Sequence, residues 1–88
     1  MKVERILIDP GFRKQFAKLP LPIQKKAEKA RLLFVQNPFH PSLRLHKLSG
    51  RMDGLWSISI TMRYRIVFRV YEGGDVLFIS IGTHAIYT

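Results

Sequence analysis

Two histidines and an arginine, His46, Arg65 and His84, are the residues of this chain best suited to chemistry. Cutting RNA without a metal calls for three groups: a base that takes the 2′-hydroxyl proton, a cation that steadies the crowded phosphorane, and an acid that protonates the departing 5′-oxygen. Histidine serves either proton role because its ordinary pKa lies near neutrality. Arginine offers phosphate a forked set of donors. The same residues have a plainer reading, with Arg65 a solvated strand charge, His46 an edge residue and His84 a terminal cap. Tyr87 is either a base-stacking aromatic or a tail residue docked on a sheet. A metal site built from His40, His46 and His84 fits poorly, because no pair has helical i, i+4 spacing and no carboxylate accompanies them.

The three groups are distant in sequence, so strand geometry must bring them together. A two-residue turn at Gly73-Gly74 would pair Tyr71 with Val76, Arg69 with Phe78, Val67 with Ser80 and Arg65 with Gly82. The alternate pairs are then Val70 with Leu77, Phe68 with Ile79 and Ile66 with Ile81. One face of this hairpin is apolar, and the other collects Arg65, Arg69 and Ser80. Opposite Arg65 the glycine leaves room for a phosphate. His84 has the parity to extend that face. Upstream, Leu55 to Ile60 carries Trp56, Ile58 and Ile60 on one side and Ser57 and Ser59 on the other. Matching apolar to apolar gives Ile60 with Tyr64, Ile58 with Ile66 and Trp56 with Phe68, with Thr61 to Arg63 as the loop. The strand bearing Arg65 is thereby central.

Val3 to Ile8 reads as a first strand ended by Asp9-Pro10. Phe12, Phe16 and Leu19 recur at helical spacing, which predicts a helix over Gly11 to Leu19. A second helix begins near Pro22, buries Ile23, Ala27, Ala30 and Phe34, and stops by Asn37-Pro38. Its other face carries Lys25, Lys26, Lys29 and Arg31, read as a solvated stripe or a nucleic-acid contact. The Pro20-Leu21-Pro22 joint does not suit a helix-turn-helix reader. Leu43 to Leu48 reads as a short strand with Arg44 and His46 on one side, and Ser49 to Gly54 as a glycine-bounded loop holding Arg51. The expected fold is α+β: a small, twisted, mainly antiparallel sheet with two N-terminal helices packed on one face and a basic, hydroxyl-rich face left open.

At 88 residues the chain is long enough for one domain, spanning 1–88. Fifteen Lys and Arg against six acids give a net charge of +9 and a pI near 10.5. That balance suits a polyanion such as RNA, or an acidic protein partner. Arg44, Lys47, Arg51, Arg63 and Arg69 are the candidate RNA-binding cations. There are no cysteines, so disulfides and thiolate metal sites are excluded. No apolar run approaches the ~20 residues a membrane helix needs, and the N-terminus lacks a signal-peptide core, so a cytoplasmic location is expected.

The segments LHKLSG, GLWSISI, YRIVFRV, EGGDVLFIS and IGTHAIY, in this order after two helices, resemble the RelE/ParE superfamily of bacterial toxins across nearly the whole chain. The YafQ and RelE branches are the most similar. The resemblance implies a microbial-ribonuclease-like fold, ribosome-dependent cleavage of mRNA without a cofactor, and neutralisation by a cognate antitoxin. It also implies roles: Arg65 as the phosphate-stabilising arginine, His84 as the C-terminal catalytic histidine, His46 as a YafQ-type histidine, and Tyr87 as a C-terminal tyrosine near the nucleotide; on this basis His84 is expected to be the acid and His46 is the first candidate for the base, whose identity the mixture of branches leaves open. The pattern departs at Ser57 and Ser59, where RelE members carry lysines and the YafQ branch a histidine, and at Arg63, near an acid of the YafQ branch. ParE relatives share the fold but inhibit DNA gyrase without nucleolytic groups. A gyrase inhibitor and an inactive antitoxin-binding relative are therefore the alternatives.

Overall fold

A computed structural model describes residues 1–83. Its framework is a five-stranded sheet built from β1 (Arg5–Ile8), β2 (His46–Lys47), β3 (Trp56–Ser59), β4 (Arg65–Val70) and β5 (Asp75–Gly82), in the spatial order β1-β5-β4-β3-β2. The neighbours from β5 to β2 are antiparallel, while β1 runs parallel to β5. Helices α1 (Pro10–Ala17) and α2 (Leu21–Gln36) follow β1 and carry the chain back across the sheet. As expected, β4 is the central strand.

Each helix starts where its sequence dictates. The Asp9 carboxylate accepts from the Gly11 N–H at 2.7 Å, and Pro10 occupies the first turn, where its missing N–H costs nothing. Beyond the other end of α1, the Gln24 side chain of α2 donates to the carbonyls of Phe16 (3.0 Å), which also accepts from the Leu19 N–H, and of Leu19 (3.1 Å), fixing the joint between the two helices. α2 buries Ala27, Ala30 and Phe34, three of the four residues of the expected apolar face. Phe34, fully buried, meets Phe68 edge-on at 5.0 Å and Phe78 at 6.0 Å, and Phe12 meets Phe78 at 5.4 Å. These rings join α1 and α2 to the two central strands and account for much of the cohesion.

The β3–β4 register is as predicted, with Trp56 opposite Phe68, Ile58 opposite Ile66 and Ser59 opposite Arg65. Three other expectations are corrected. First, the β4–β5 connection is a three-residue loop, Glu72–Gly74, with Tyr71 opposite Asp75 (Tyr71 N–H to Asp75 O, 2.8 Å). Gly73 and Gly74 both take positive φ, 83° and 93°. The pairs nearest the loop are therefore Val70 with Val76, Arg69 with Leu77 and Phe68 with Phe78. A bulge at Ile79 absorbs the offset, and Val67 with Ser80, Ile66 with Ile81 and Arg65 with Gly82 stand as anticipated. Phe78 and Val76 consequently belong to the core rather than to the arginine face.

Second, only His46 and Lys47 of the expected Leu43–Leu48 strand pair with a neighbour. Pro41–Leu43 forms a 3-10 turn that buries Leu43, and Arg44 takes left-handed backbone angles (φ 48°, ψ 48°), which break the strand. Third, the sheet face away from the helices is not simply open: Ser57 and Val67 are fully buried there, and Ser59 is 8% exposed.

Candidate functional site

Arg65 sits at the start of β4, half-buried, with Ser59 across one strand and Gly82 across the other. Its Nη1 donates to Ser59 Oγ at 2.8 Å and to the Thr61 carbonyl at 3.3 Å. Both acceptors are neutral, and among the described residues no carboxylate pairs with the guanidinium, so it is oriented without its charge being cancelled by them. Its other donors have no acceptor among the described residues and could meet an anion.

Thr61 organises the neighbouring loop as well. Its hydroxyl accepts from the N–H groups of Arg63 and Tyr64, each at 3.1 Å, while Ile60 N–H bonds Tyr64 O at 2.9 Å. This hydroxyl-stabilised turn presents Arg63 and Met62 to solvent. Sequence reasoning treated Thr61 only as loop. The available signal was a threonine two residues before Arg63, a spacing that lets its hydroxyl cap the turn. Met62, Arg63, Arg65 and Thr83 line a cleft of about 310 Å³, so two arginines and a threonine border it. Gly82 adds no side chain beside Arg65. The chemistry offered is recognition of a phosphate by two cations, one of them fixed in advance.

His46 is exposed on the same sheet face, opposite Ser57. Its Nδ1 lies 3.1 Å from the Arg44 carbonyl, which can only accept, so Nδ1 carries a proton and Nε2 is the nitrogen left to exchange one. The left-handed turn at Arg44 aims that carbonyl at the ring. His46 and Arg65 are two strands and two residues apart, about 12 Å between Cα atoms from standard sheet spacings. Arg65 reaches across to Ser59 on the intervening strand but, along the strand, toward Thr61 and away from His46. One phosphodiester meets both groups only if Arg65 releases Thr61 and swings toward β2. His84 and Tyr87 lie outside the described residues.

The other candidate cations scatter. Arg44 stands beside a second cleft, of about 410 Å³, with Ser42, Ser59, Thr61 and Met62. Lys47 lies on the helix side of the sheet, its ammonium 5.3 Å from the centre of the Trp56 ring. It is thus separated from Arg65 by the sheet itself. Arg69, exposed, shares the face of Arg65 but lies four residues along β4, roughly 13 Å away, and its guanidinium approaches Gly54. Arg51 occupies the exposed turn Gly50–Met52. His40 is a structural cap, its Nδ1 accepting from the Ser42 N–H at 3.2 Å. Among the described residues no three His, Asp or Glu side chains gather in a way that would hold a metal, and no helix is long and apolar enough to cross a membrane.

The fully buried Ser57 hydroxyl has no hydrogen-bond partner among the described residues. At the far edge of the sheet Arg5 and Asp75 form a two-point ion pair, 2.7 and 3.3 Å, joining β1 to β5. Hydrogen bonds from Arg5, with its charge, draw the Asp75 carboxyl below its ordinary value against a smaller opposing effect of desolvation.

Comparison with known proteins places this geometry. Residues 21–88 match the family model of the ParE-like toxin domain. No curated protein matches the chain in sequence. The YoeB/ParE toxin of Agrobacterium tumefaciens superposes with a TM-score of 0.76 at 21% identity, covering 92% of this chain and 99% of that one. YafQ of E. coli gives 0.74 at 18% identity, covering 96% and 98%. The archaeal RelE–RelB complex of Pyrococcus horikoshii gives 0.74 at 19% identity, covering 94% and 96%. At such identities these likenesses establish a shared fold of two helices on a mixed five-stranded sheet.

Proposed function

From its membership of the ParE-like toxin family, to which this chain belongs, we propose that the protein is the toxin of a type II toxin–antitoxin pair and an endoribonuclease that cuts mRNA on the ribosome. The reading is carried by the cleft around Arg65, with its guanidinium fixed by Ser59 and paired with no carboxylate among the described residues, a second cation at Arg63, and a glycine opposite. There Arg65 binds the scissile phosphate and stabilises the charge of the phosphorane. A base removes the 2′-hydroxyl proton, the 2′-oxygen attacks phosphorus, and the bond to the 5′-oxygen breaks as an acid protonates it. The products are a 2′,3′-cyclic phosphate and a 5′-hydroxyl.

His84, covalently next to the cleft residue Thr83, is assigned the acid, and Tyr87 orients a nucleotide. His46, with Nε2 the nitrogen left to exchange a proton, is assigned the base, which requires the swing of Arg65 described above. Arg44, Arg51 and Arg69 contact flanking phosphates. Lys47, on the far side of the sheet, belongs to a ribosomal contact rather than to the cut strand. A cognate antitoxin is the expected protein partner, consistent with the RelB-bound state of the archaeal structure and with the net charge of +9, which favours an acidic segment.

One observation favours a second reading. The matching family model is described as ParE-like, and relatives of that kind inhibit DNA gyrase without chemistry of their own. Adding the purified protein to a translating extract and to a gyrase supercoiling reaction separates the two. Cleavage of mRNA in the first with normal supercoiling in the second supports the nuclease. The reverse pattern overturns it, and silence in both leaves the inactive antitoxin-binding relative.

A further inference from the structure

β2 pairs with Trp56 and Ser57, its ladder continuing only toward the loop through the Leu48 N–H to Leu55 O bond at 2.9 Å, and the left-handed turn at Arg44 prevents it from following β3 toward Ser59. Beyond that point the edge of β3 has no strand beside it among the described residues. By the alternation of an antiparallel ladder, the main-chain N–H and C=O of Ser59 point outward into the gap. Three depressions meet there. One, of about 220 Å³, is walled by Lys26 and Lys29 of α2 together with Ser42, Ser59 and Ile60. The second shares Ser42, Ser59 and Ile60 with it and adds Arg44, Thr61 and Met62. The third shares Met62 and holds Arg63 and Arg65. Among the described residues no carboxylate lines any of the three, whereas five cations and four hydroxyl side chains do.

We propose that these depressions form one continuous track for a single RNA strand, running from the Arg65 cleft around the free edge of β3 to a second phosphate-binding point made by Lys26, Lys29 and Ser42. The inference rests on the reading of the Arg65 cleft as a phosphate site. It extends that reading to the opposite face of the sheet. Lys26 and Lys29 are one helical turn apart and flank the track together, while Lys25 lines none of the three depressions and Arg31 is tied to Glu28 at 3.2 Å. The stripe of positive charge on α2 is therefore divided by the fold into two residues that face the track and two that do not.

The test measures binding of a fully 2′-O-methylated RNA of about twelve nucleotides, which cannot be cut because its internal nucleophile is blocked, across a range of salt concentrations. Each phosphate contact to a single strand contributes about 0.7 to the slope of log affinity against log salt. The double variant Lys26→Gln/Lys29→Gln is expected to lower that slope by about 1.4 and the affinity roughly tenfold at physiological salt. A methylated dinucleotide, long enough only for the Arg65 cleft, should bind the double variant and the parent protein alike. Lys14→Gln/Lys18→Gln, which removes equal charge from exposed positions of α1 and its C-terminal cap outside the track, should leave the slope unchanged. Equal losses in the two double variants, or no loss in the first, overturn the track. A Lys26→Gln/Lys29→Gln protein that binds RNA normally but loses an acidic antitoxin peptide overturns it in favour of a peptide seat. If Arg65→Ala itself leaves RNA affinity untouched, the underlying phosphate site fails instead, which the two sets of variants tell apart.

Discussion

Replacing Arg65 separates its role in the fold from its role toward substrate. In the fold it donates from a half-buried position to two neutral acceptors, Ser59 Oγ at 2.8 Å and Thr61 O at 3.3 Å. Removing it by Arg65→Ala leaves the nearly buried Ser59 hydroxyl without that partner, a loss of about 1 kcal/mol, partly offset because a charge no longer has to be desolvated. For a domain of this size ~1 kcal/mol is a fall of about 4–8 °C in Tm. Toward a phosphorane the loss is larger. Withdrawing one oriented donor from developing negative charge costs on the order of 10²–10³ in rate. Arg65→Lys keeps the charge but not the fork that holds Ser59 and a phosphate together, so it should fall between parent and alanine. Ser59→Ala keeps the charge and frees it to wander, for a loss of about 1.5 kcal/mol, or roughly tenfold. The assays are mRNA cleavage in a translating extract and a thermal melt of each variant. Arg65→Ala that is folded and cleaves at the parent rate refutes the phosphate assignment. An Arg65→Ala protein that is unfolded refutes the claim that this side chain is held for substrate rather than for structure.

Three further outcomes follow from the geometry. Gly74→Ala should destabilise the protein more than Gly73→Ala in a denaturant titration. Both positions carry positive φ, worth about 1–2 kcal/mol to a residue with a Cβ, but at Gly74 the new methyl meets the Lys2 carbonyl and Glu4 Cγ at 2.7 Å, whereas at Gly73 it meets open space. Ser57→Ala should raise Tm, because it deletes a fully buried hydroxyl without a partner among the described residues, whose burial costs about 1–3 kcal/mol; a lower Tm would show that the hydroxyl is bonded. Asp75 is held below its ordinary value of 3.8 by Arg5, so its contribution to stability is complete above that pH and is lost as pH falls through the lowered value. Asp75→Asn should flatten this acid limb in a melt-versus-pH series and leave the curve above neutral pH parallel to the parent's. The pair is exposed, so high salt should mute the difference.

Much of the sheet was legible because polarity alternated where burial did. Trp56, Ile58 and Ile60 against Ser57 and Ser59 leave a single register that meets Ile66 and Phe68 face to face, and that is the register found. The corresponding argument fails from Val76 to Ile79, where VLFI is apolar at every position, so a slip of one residue moves one apolar side chain out and another in at no visible cost. Two glycines in succession suggested a two-residue turn, yet Glu72 also belongs to the loop. Leu43 and Leu45 mimicked a strand because Arg44 between them gives no sign that its backbone turns left-handed, a conformation that glycine or asparagine would have advertised. The burial of Ser57 and Val67 away from the helices could not be read from alternation, which assigns a side but not what covers it.

The pairing of Arg65 with Gly82 was anticipated, though for an incomplete reason, and the difference explains what the bulge is for. A two-residue turn with an unbroken ladder and a three-residue loop with one bulge end in the same register at the far end of the hairpin. Had the three-residue loop been followed by a regular ladder, Ile81 would stand opposite Arg65, and its branched side chain would occupy the space a phosphate needs. Gly82 would then lie beyond the strand end. The extra residue at Ile79 restores the glycine to its place while letting Phe78 and Val76 turn into the core beside Phe68 and Val70. One irregularity thus serves two demands that a regular hairpin cannot meet together: aromatic packing near the loop and an uncovered guanidinium at the other end. The open edge of β3 has a related origin in the Arg44 turn, which stops β2 after two residues, aims a carbonyl at His46 and leaves Ser59 facing the track toward α2. Both irregular positions border the arginine face, where core packing and the proposed phosphate site make different demands on one stretch of backbone.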